Sequence, residues 1–521
     1  MKKKLVFACL LILTHFYSYT QGVGIGTATP HASAQLDISN NAKGILIPRM
    51  TSAAVLSILS PAKGLMVYDT TKNELFVNMG TPVTPSWKSI ASKSSWSVGG
   101  NAGTNASTHF IGTTDNVGLQ FRIHNQQAGK IDSVTRNTFL GFRAGIQTMP
   151  NAKINTAIGF NAFPNNTFGT VNTIVGGYAM HFNINGHENS AFGGFALYQN
   201  TQGDYNAAFG VSALENNQGD YNSAFGNNAL RYNTTGLANT AIGNGTLAGN
   251  NIGSSNVAVG YLALVSNSSG FNNVGTGADA LRKNTTGYYN AALGDASLNS
   301  NTTGVGNTAC GSGALYTTTI SSYNTTLGYH AGYANNLGWN NTLIGADCNT
   351  NANGIFNSVA LGQGVTITAN NQARIGNSST TSIGGFSNWT NISDGRFKKN
   401  IREDVKGLDF IMKLRPVTYQ LDVTNLSAKL NASQNILAPG MENAITEKES
   451  MVQSGFIAQE VEQAAASLDY DFSGVDKPKN EDDLYGLRYA EFVVPLVKAV
   501  QELELQVKEQ QQQIEDLKKS N

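Results

Sequence analysis

Cysteine is nearly absent from this chain of 521 residues, with three in all: Cys9, Cys310 and Cys348. So few cannot build a disulfide framework, which excludes a small scaffold stapled by sulfur. Proline is scarce too, at 11 residues, so a collagen-like or proline-rich stalk is excluded, while 56 glycines point to an ordered chain with many turns. Charge is thin where the chain is longest: only 13 Asp, Glu, Lys or Arg fall between Asn137 and Ile392. Over the whole chain 34 basic residues balance 34 acidic ones, so nothing global favours nucleic acid or an anionic membrane as partner. Histidine is missing after His330, so any chemistry beyond it must manage without an imidazole. The Gly-Gly-x-Gly-x-Asp repeat of calcium-binding coils is absent, and neither a metal nor an organic cofactor is expected.

What is present begins with an export signature. Lys2-Lys3-Lys4 precedes an apolar run from Leu5 to Leu13, and Tyr17-Ser18-Tyr19-Thr20 suits the approach to a cleavage site, so residues 1–20 read as a signal peptide. A membrane anchor needs about 20 apolar residues, and His15 breaks the run early. Too few apolar residues precede Cys9 for a lipoprotein acceptor. No later run could span a bilayer, so the mature chain is expected outside the cell or at its surface.

Short apolar runs bounded by Gly and Pro follow over residues 21–94, as in Gly22-Val23-Gly24-Ile25-Gly26-Thr27, Ala34 to Ile38 and Gly44 to Met50. They predict short strands. Thr51 to Leu59 is the one helix-like piece. Gly64 to Asp69 and Glu74 to Val77 make a hairpin-like pair closed by Trp87. A β connector over 95–136, with Trp96, Phe110 and Leu119 to Ile123, continues the style. This opening resembles the leading segments of Bacteroidetes surface and tail-fibre-like proteins, in which Gly-Ile-Gly-Thr and Leu-Ile-Pro-Arg-Met strings recur.

Residues 137–380 are a repeat. Fourteen asparagine anchors run from Asn137 to Asn357, and ten of the thirteen spacings are 17 residues. A glycine follows four residues after each anchor, except that Gly362 comes five after Asn357. The unit reads Asn-x-small-apolar-Gly-x-x-Ala-Leu, and the third, fourth, eighth and ninth positions are the expected inward set, for example Ala224, Phe225, Ala229 and Leu230. Seventeen residues with a glycine in every unit do not suit a helical hairpin, because each glycine would cost about 1 kcal/mol in a helix. Two short strands per coil, with Gly and Asn supplying positive φ at the turns, predict a mainly β fold: a parallel β-solenoid or β-roll. Rungs about 4.8 Å apart would carry it on the order of 65 Å. Cys310, at a fourth position, and Cys348 are expected to be small core residues, and the anchor asparagines a stacked ladder satisfying turn backbones. The unit resembles the head of trimeric autotransporter adhesins, whose coils form a trimeric β-roll.

After a linker at 381–392 the style changes at Ser393, and charge becomes dense. Val405 to Leu414 has helical spacing, Arg415 to Leu421 reads as a strand, 425–450 as an exposed polar excursion, and Gly455 to Val461 opens another helix. Val493, Leu496, Val500, Leu503, Val507, Ile514 and Leu517 form a heptad seam crossed by a polar Gln510, which predicts a coiled coil over 491–519 and an oligomer of parallel chains.

Four separated motifs carry a more specific resemblance: Ser393-Asp394-x-Arg396-x-Lys398, Leu414-Arg415-Pro416-Val417-x-Tyr419, Gly455-Phe456-Ile457-Ala458-Gln459-Glu460-Val461, and the terminal heptad helix. Together they resemble the intramolecular chaperone of phage endosialidases and other tailspikes. The resemblance implies, for a small α+β domain at 393–490, that it trimerises, guides folding of the upstream fibre and then cuts itself off. Carried over by motif, Ser393 is the nucleophile, Lys398 its base, and the Ile392–Ser393 bond the one cut; Asp394, Arg396, Gln459 and Glu460 are supporting motif residues. A serine hydroxyl needs a base, and a desolvated lysine can serve. A plainer account makes Ser393-Asp394 a helix N-cap and Lys398 a solvated charge.

The resulting expectation is a secreted homotrimeric fibre, adhesin-like, with a glycan or other cell-surface ligand, matured by single-turnover self-cleavage. The alternative is a non-cleaving monomeric solenoid binding a glycan or ice through Asn-Thr-Thr strings such as Asn284-Thr285-Thr286 and Asn301-Thr302-Thr303. A polysaccharide-cleaving enzyme would need paired acids, and Asp204, Glu215 and Asp220 are the only local acid cluster, at unit turns.

Overall fold

The computed structural model describes residues 22–90, 100–105, 107–333, 338–430 and 441–520. The signal-like segment 1–20 and Trp96 lie outside the described residues. The chain divides into two compact units, Met1–Gly112 and Thr113–Asn521.

In the first unit, Val23–Ile25 pairs in parallel with Leu36–Ile38. A separate four-stranded sheet is built on the hairpin Met66–Asp69 and Glu74–Asn78, with Arg49–Met50 and Trp87–Ser89 at its edges. Thr51 caps the helix Ser52–Leu56 by accepting the Ala54 N–H. That helix places Val55 against Val67 and Phe76, with Met50, Ile58 and Trp87 around them. Phe110-Ile111-Gly112 forms no strand.

The second unit holds a parallel β-solenoid of 17-residue repeats. From Thr156–Ile158 to Thr342–Ile344, and on through Val359–Leu361 to Ala373–Ile375, each three-residue strand pairs in parallel with the next, so that Ala191 faces Ala208 and Phe192 faces Phe209. The ladder opens on a hairpin, Leu119–Ile123 with Gln126–Asp132, whose second strand pairs antiparallel with Asn137–Leu140. Half of the expected connector is thus the first piece of the solenoid sheet. One strand per coil is the rule, against the expected two; among the described residues a second pair occurs only at Asn349–Thr350 and Thr366–Ile367. The remaining circumference is turn, still bonded coil to coil, as where Leu230 N–H donates to Thr246 O and Tyr232 N–H to Ala248 O.

Successive strand residues face opposite sides. The third position therefore points inward with the anchor asparagine, and the fourth points out. Ala224, Ala229 and Leu230 are fully buried, whereas Phe225 is 41% exposed. The same alternation corrects Cys310, which lies half-buried on the outer face, while Cys348 is in the core, where burial pushes its thiol up to about 12.

The turns also differ from expectation. The ninth position is left-handed in each coil from Phe163 to Leu315 but is filled by a large apolar residue, leucine from Leu197 onward, as at Leu230 with φ 52° and Leu264 with φ 53°. A left-handed L-residue costs about 1–2 kcal/mol, which complete burial of a leucine offsets. Glycine is required at the fifth position. Gly193 has φ 141°, and a Cβ there would collide with the Gly210 carbonyl of the next coil.

Two asparagine ladders run through the interior. At the anchors, Asn239 Nδ2 donates to Gly253 O at 2.8 Å while its Oδ1 accepts Asn256 N–H at 3.0 Å, and the pattern repeats along the stack. A second column, including Asn233, Asn250 and Asn267, is equally buried, with Asn250 Nδ2 donating to Asn233 Oδ1 at 2.7 Å and Gly253 O at 2.8 Å. The last anchor is Ser358, not Asn357: its N–H donates to Asn341 Oδ1 at 3.1 Å, 17 residues back. Gly362 then falls four residues after the anchor, as elsewhere.

After the solenoid, Val417–Tyr419 pairs antiparallel with Gln453–Gly455, and the helix Ala458–Ala466 follows. The segment expected to be an exposed polar excursion instead forms the helices Val423–Leu430 and Met441–Ser450, with 431–440 outside the described residues. Phe410, on the short helix Leu408–Ile411, centres a small core with Val461, Phe472 and Phe492. The chain ends in the helix Val493–Ser520. Among the described residues, no helix is long and apolar enough to cross a membrane.

Candidate functional site

Ser393 and Lys398 come together. Between them Gly395–Phe397 makes one 3-10 turn, which Asp394 caps by accepting Arg396 N–H at 2.9 Å. The turn reverses the chain, so that Lys398 Nζ reaches Ser393 Oγ at 2.8 Å. Asp394 also binds the Arg396 guanidinium, with Nη2 2.6 Å and Nε 3.0 Å from Oδ2. That side-chain contact, helped by the backbone one, holds the Asp394 carboxyl below its ordinary value. The capping account and the dyad account thus hold together: Asp394 is the cap, and the cap sets the reach of Lys398.

Exposure decides what this pair can do. Ser393 and Lys398 are both exposed, and Ile392, on the acyl side of the proposed scissile bond, is 96% exposed. In the single chain the desolvation that suits a lysine base is therefore not supplied. Gln459 and Glu460 do not join the pair. Gln459 is exposed on its helix, while Glu460 Oε1 and Oε2 receive Arg415 at 2.5 and 3.0 Å, each partner stabilising the charge of the other. They tie the helix Ala458–Ala466 to the chain entering the strand Val417–Tyr419.

A second cluster, which sequence reasoning missed, joins this region to the last coil. Asp483, with its side chain 3% exposed, receives Thr368 Oγ1, Gln372 Nε2 at 3.2 Å and Arg374 Nη2 at 3.5 Å. Asn480 Nδ2 donates to Thr368 O at 2.8 Å, and Ser378 and Ser427 share a hydrogen bond of 2.6 Å. Arg374 was the one sequence signal: a lone charge at the end of a nearly uncharged repeat.

The acids considered for glycan cleavage do not converge. Asp204 accepts His187 N–H at 2.7 Å, Asp220 accepts Asp204 N–H at 2.8 Å, and Glu215 pairs with Arg231 at 2.8 Å. The Asn-Thr-Thr strings are largely spent on folding as well: Asn284 and Asn301 are buried, and Thr285 and Thr302 hydroxyls donate to carbonyls of the next coil at 3.0 Å.

Two family models match the chain. Residues 24–107 match a phage tail like trimerisation region, and residues 393–470 match the chaperone of endosialidase. The second match begins at Ser393 itself. No curated protein matches. Together the two regions support a homotrimeric, tail-fibre-like protein whose β-solenoid is followed by a chaperone region.

Proposed function

We propose that this chain is an exported, adhesin-like trimeric fibre whose chaperone region assembles it and then releases itself by cutting between Ile392 and Ser393. The observation that carries the reading is the 2.8 Å approach of Lys398 Nζ to Ser393 Oγ at the first residue of the chaperone match. Ser393 Oγ attacks the Ile392 carbonyl carbon, and Lys398 in its neutral form takes the hydroxyl proton. The amide C–N bond breaks as the Ser393 nitrogen regains a proton, leaving an ester. Water then hydrolyses the ester, giving the Ile392 carboxylate and a free Ser393 amino group. Covering of the exposed dyad by a neighbouring copy favours the neutral amine, which couples the cut to assembly. Export rests on the composition of residues 1–20, and the adhesin-like character on the style of the repeat.

The test compares the full chain with Ser393→Ala by intact mass. The parent is expected to yield two pieces, the smaller beginning at Ser393, and the variant one. If both remain a single full-length species, self-cleavage is wrong. The hydrogen bonds of Asp483 to the last coil favour one other reading, a chaperone region that trimerises and stays attached, and that outcome would establish it.

A further inference from the structure

The solenoid carries one outer face free of charge along its whole length. At the first and third residues of the strands, from Leu140 to Ile375, no rung carries Asp, Glu, Lys or Arg. The third residues form an apolar column broken only by Thr276, in which Ile158, Phe225, Ile242, Leu293 and Leu327 are 39–54% exposed. Phe192, Phe209 and Phe225 stack rung on rung at 4.7 and 4.8 Å. The other outer faces do carry charge, as in the pairs Glu215–Arg231 and Asp279–Arg282. Monomers rarely leave so large an apolar surface bare.

We propose that this strand face is where three copies of the solenoid meet, with the threefold axis parallel to the stack of coils. The inference rests on the homotrimer reading and goes beyond it by assigning the face and the register. A rotation axis along the fibre sets each residue against its own copies at the same height. Any charge on such a face would meet like charge, and this is the face from which charge is missing. The trimerisation region before the solenoid and the heptad helix after it hold the copies parallel, so equal rungs meet. Fifteen short rungs from Asn137–Leu140 to Ala373–Ile375, about 4.8 Å apart and about 10 Å wide, present about 700 Å² per chain, near the ~800 Å² per partner of a standard interface.

Cys310 lies on this column and Cys348 is buried, so the chain holds its own probe. A full-length Cys9→Ser chain is treated with a short bifunctional maleimide, and native mass is measured on the same sample. The expected result is a trimer whose denatured bands include covalent dimers, which vanish in Cys310→Ser. A trimer without the Cys310 link overturns the face, whereas a monomeric mass overturns the homotrimer reading beneath it. Leu293→Glu, at a site 54% exposed in one chain, is expected to lower the melting temperature, while Tyr232→Glu, 52% exposed on another face, is not. Equal behaviour of the two variants also overturns the assignment.

Discussion

Asp483 accepts a hydrogen bond from Thr368, tying the chaperone region to the last coil of the solenoid across 115 residues of chain. Arg374, on the final strand Ala373–Ile375, faces the same carboxylate at 3.5 Å. An open coil stack ends in unpaired strand edge, which is prone to wrong pairing. Here that end is covered by the segment proposed to leave last, so protection of the growing stack and retention of the tool share one contact.

Asp483→Ala, in an uncleaved Ser393→Ala chain, is expected to destabilise the last coil by about 1–3 kcal/mol, because it strips partners from Thr368 and the largely covered Arg374. Burial raises the Asp483 carboxyl, but its bonds to Thr368, the backbone of Lys479 and Leu484, and Gln372 outweigh that and hold it below its ordinary 3.8. A depressed folded value means the contribution is present above the unfolded value and is lost as pH falls through the folded one. The difference in melting temperature between the variant and its parent should therefore be full at neutral pH and shrink below pH 3.8.

Lys398→Met and Lys398→Arg separate a base from a mere tether. Both side chains of the pair are exposed, so neither variant should change stability by more than about 0.5 kcal/mol. Arginine keeps the charge and a donor but cannot take up a proton. Both variants are expected to slow release of the piece beginning at Ser393 by about 10²–10⁴-fold, followed by gel densitometry over time. Cleavage by Lys398→Arg at the parent rate would remove the base role.

Asn239→Ala tests the ladder. It leaves the buried Asn256 N–H without its partner, while the Gly253 carbonyl loses one donor and keeps Asn250 Nδ2. One orphaned buried group costs about 1–3 kcal/mol. Asn244→Ala, one turn away and exposed, is expected to be within about 0.5 kcal/mol of the parent. Chemical denaturation of the two variants side by side gives the comparison.

The anchor period made the solenoid, Ala224 and Leu230 legible, because spacing reports stacking directly. Phe225 was misread although the same sequence holds the answer: neighbours in a strand cannot both face the core, so an inward Ala224 sends Phe225 out. Ser358 was hidden by Asn357, whose residue type fitted the pattern while its spacing of 16 did not. Left-handed Leu230 was beyond reach, since propensity speaks against it and only complete burial overrides propensity. At the site, the motif named Ser393 and Lys398, and the fold brings their side chains within 2.8 Å. The contact of Asp483 with Thr368 has no local signature at all, because it joins two residues that no periodicity relates.

The terminal helix supplies the last prediction. Leu496, Leu503 and Val507 lie along the heptad seam and are 46, 44 and 45% exposed in the single chain. Their burial against two further copies would stabilise the assembly by about 1.5–3 kcal/mol per leucine, so removing two leucines from each of three chains costs on the order of 10 kcal/mol. Leu496→Asp with Leu503→Asp, in the Ser393→Ala background, is expected to collapse the trimer fraction in sedimentation equilibrium and, with it, the yield of folded solenoid. Leu505→Asp is the control: it is 61% exposed and off the seam, and should assemble as the parent does. A double variant that still forms trimers would show that the helix is not the seam. The trimerisation region over residues 24–107 would then carry assembly.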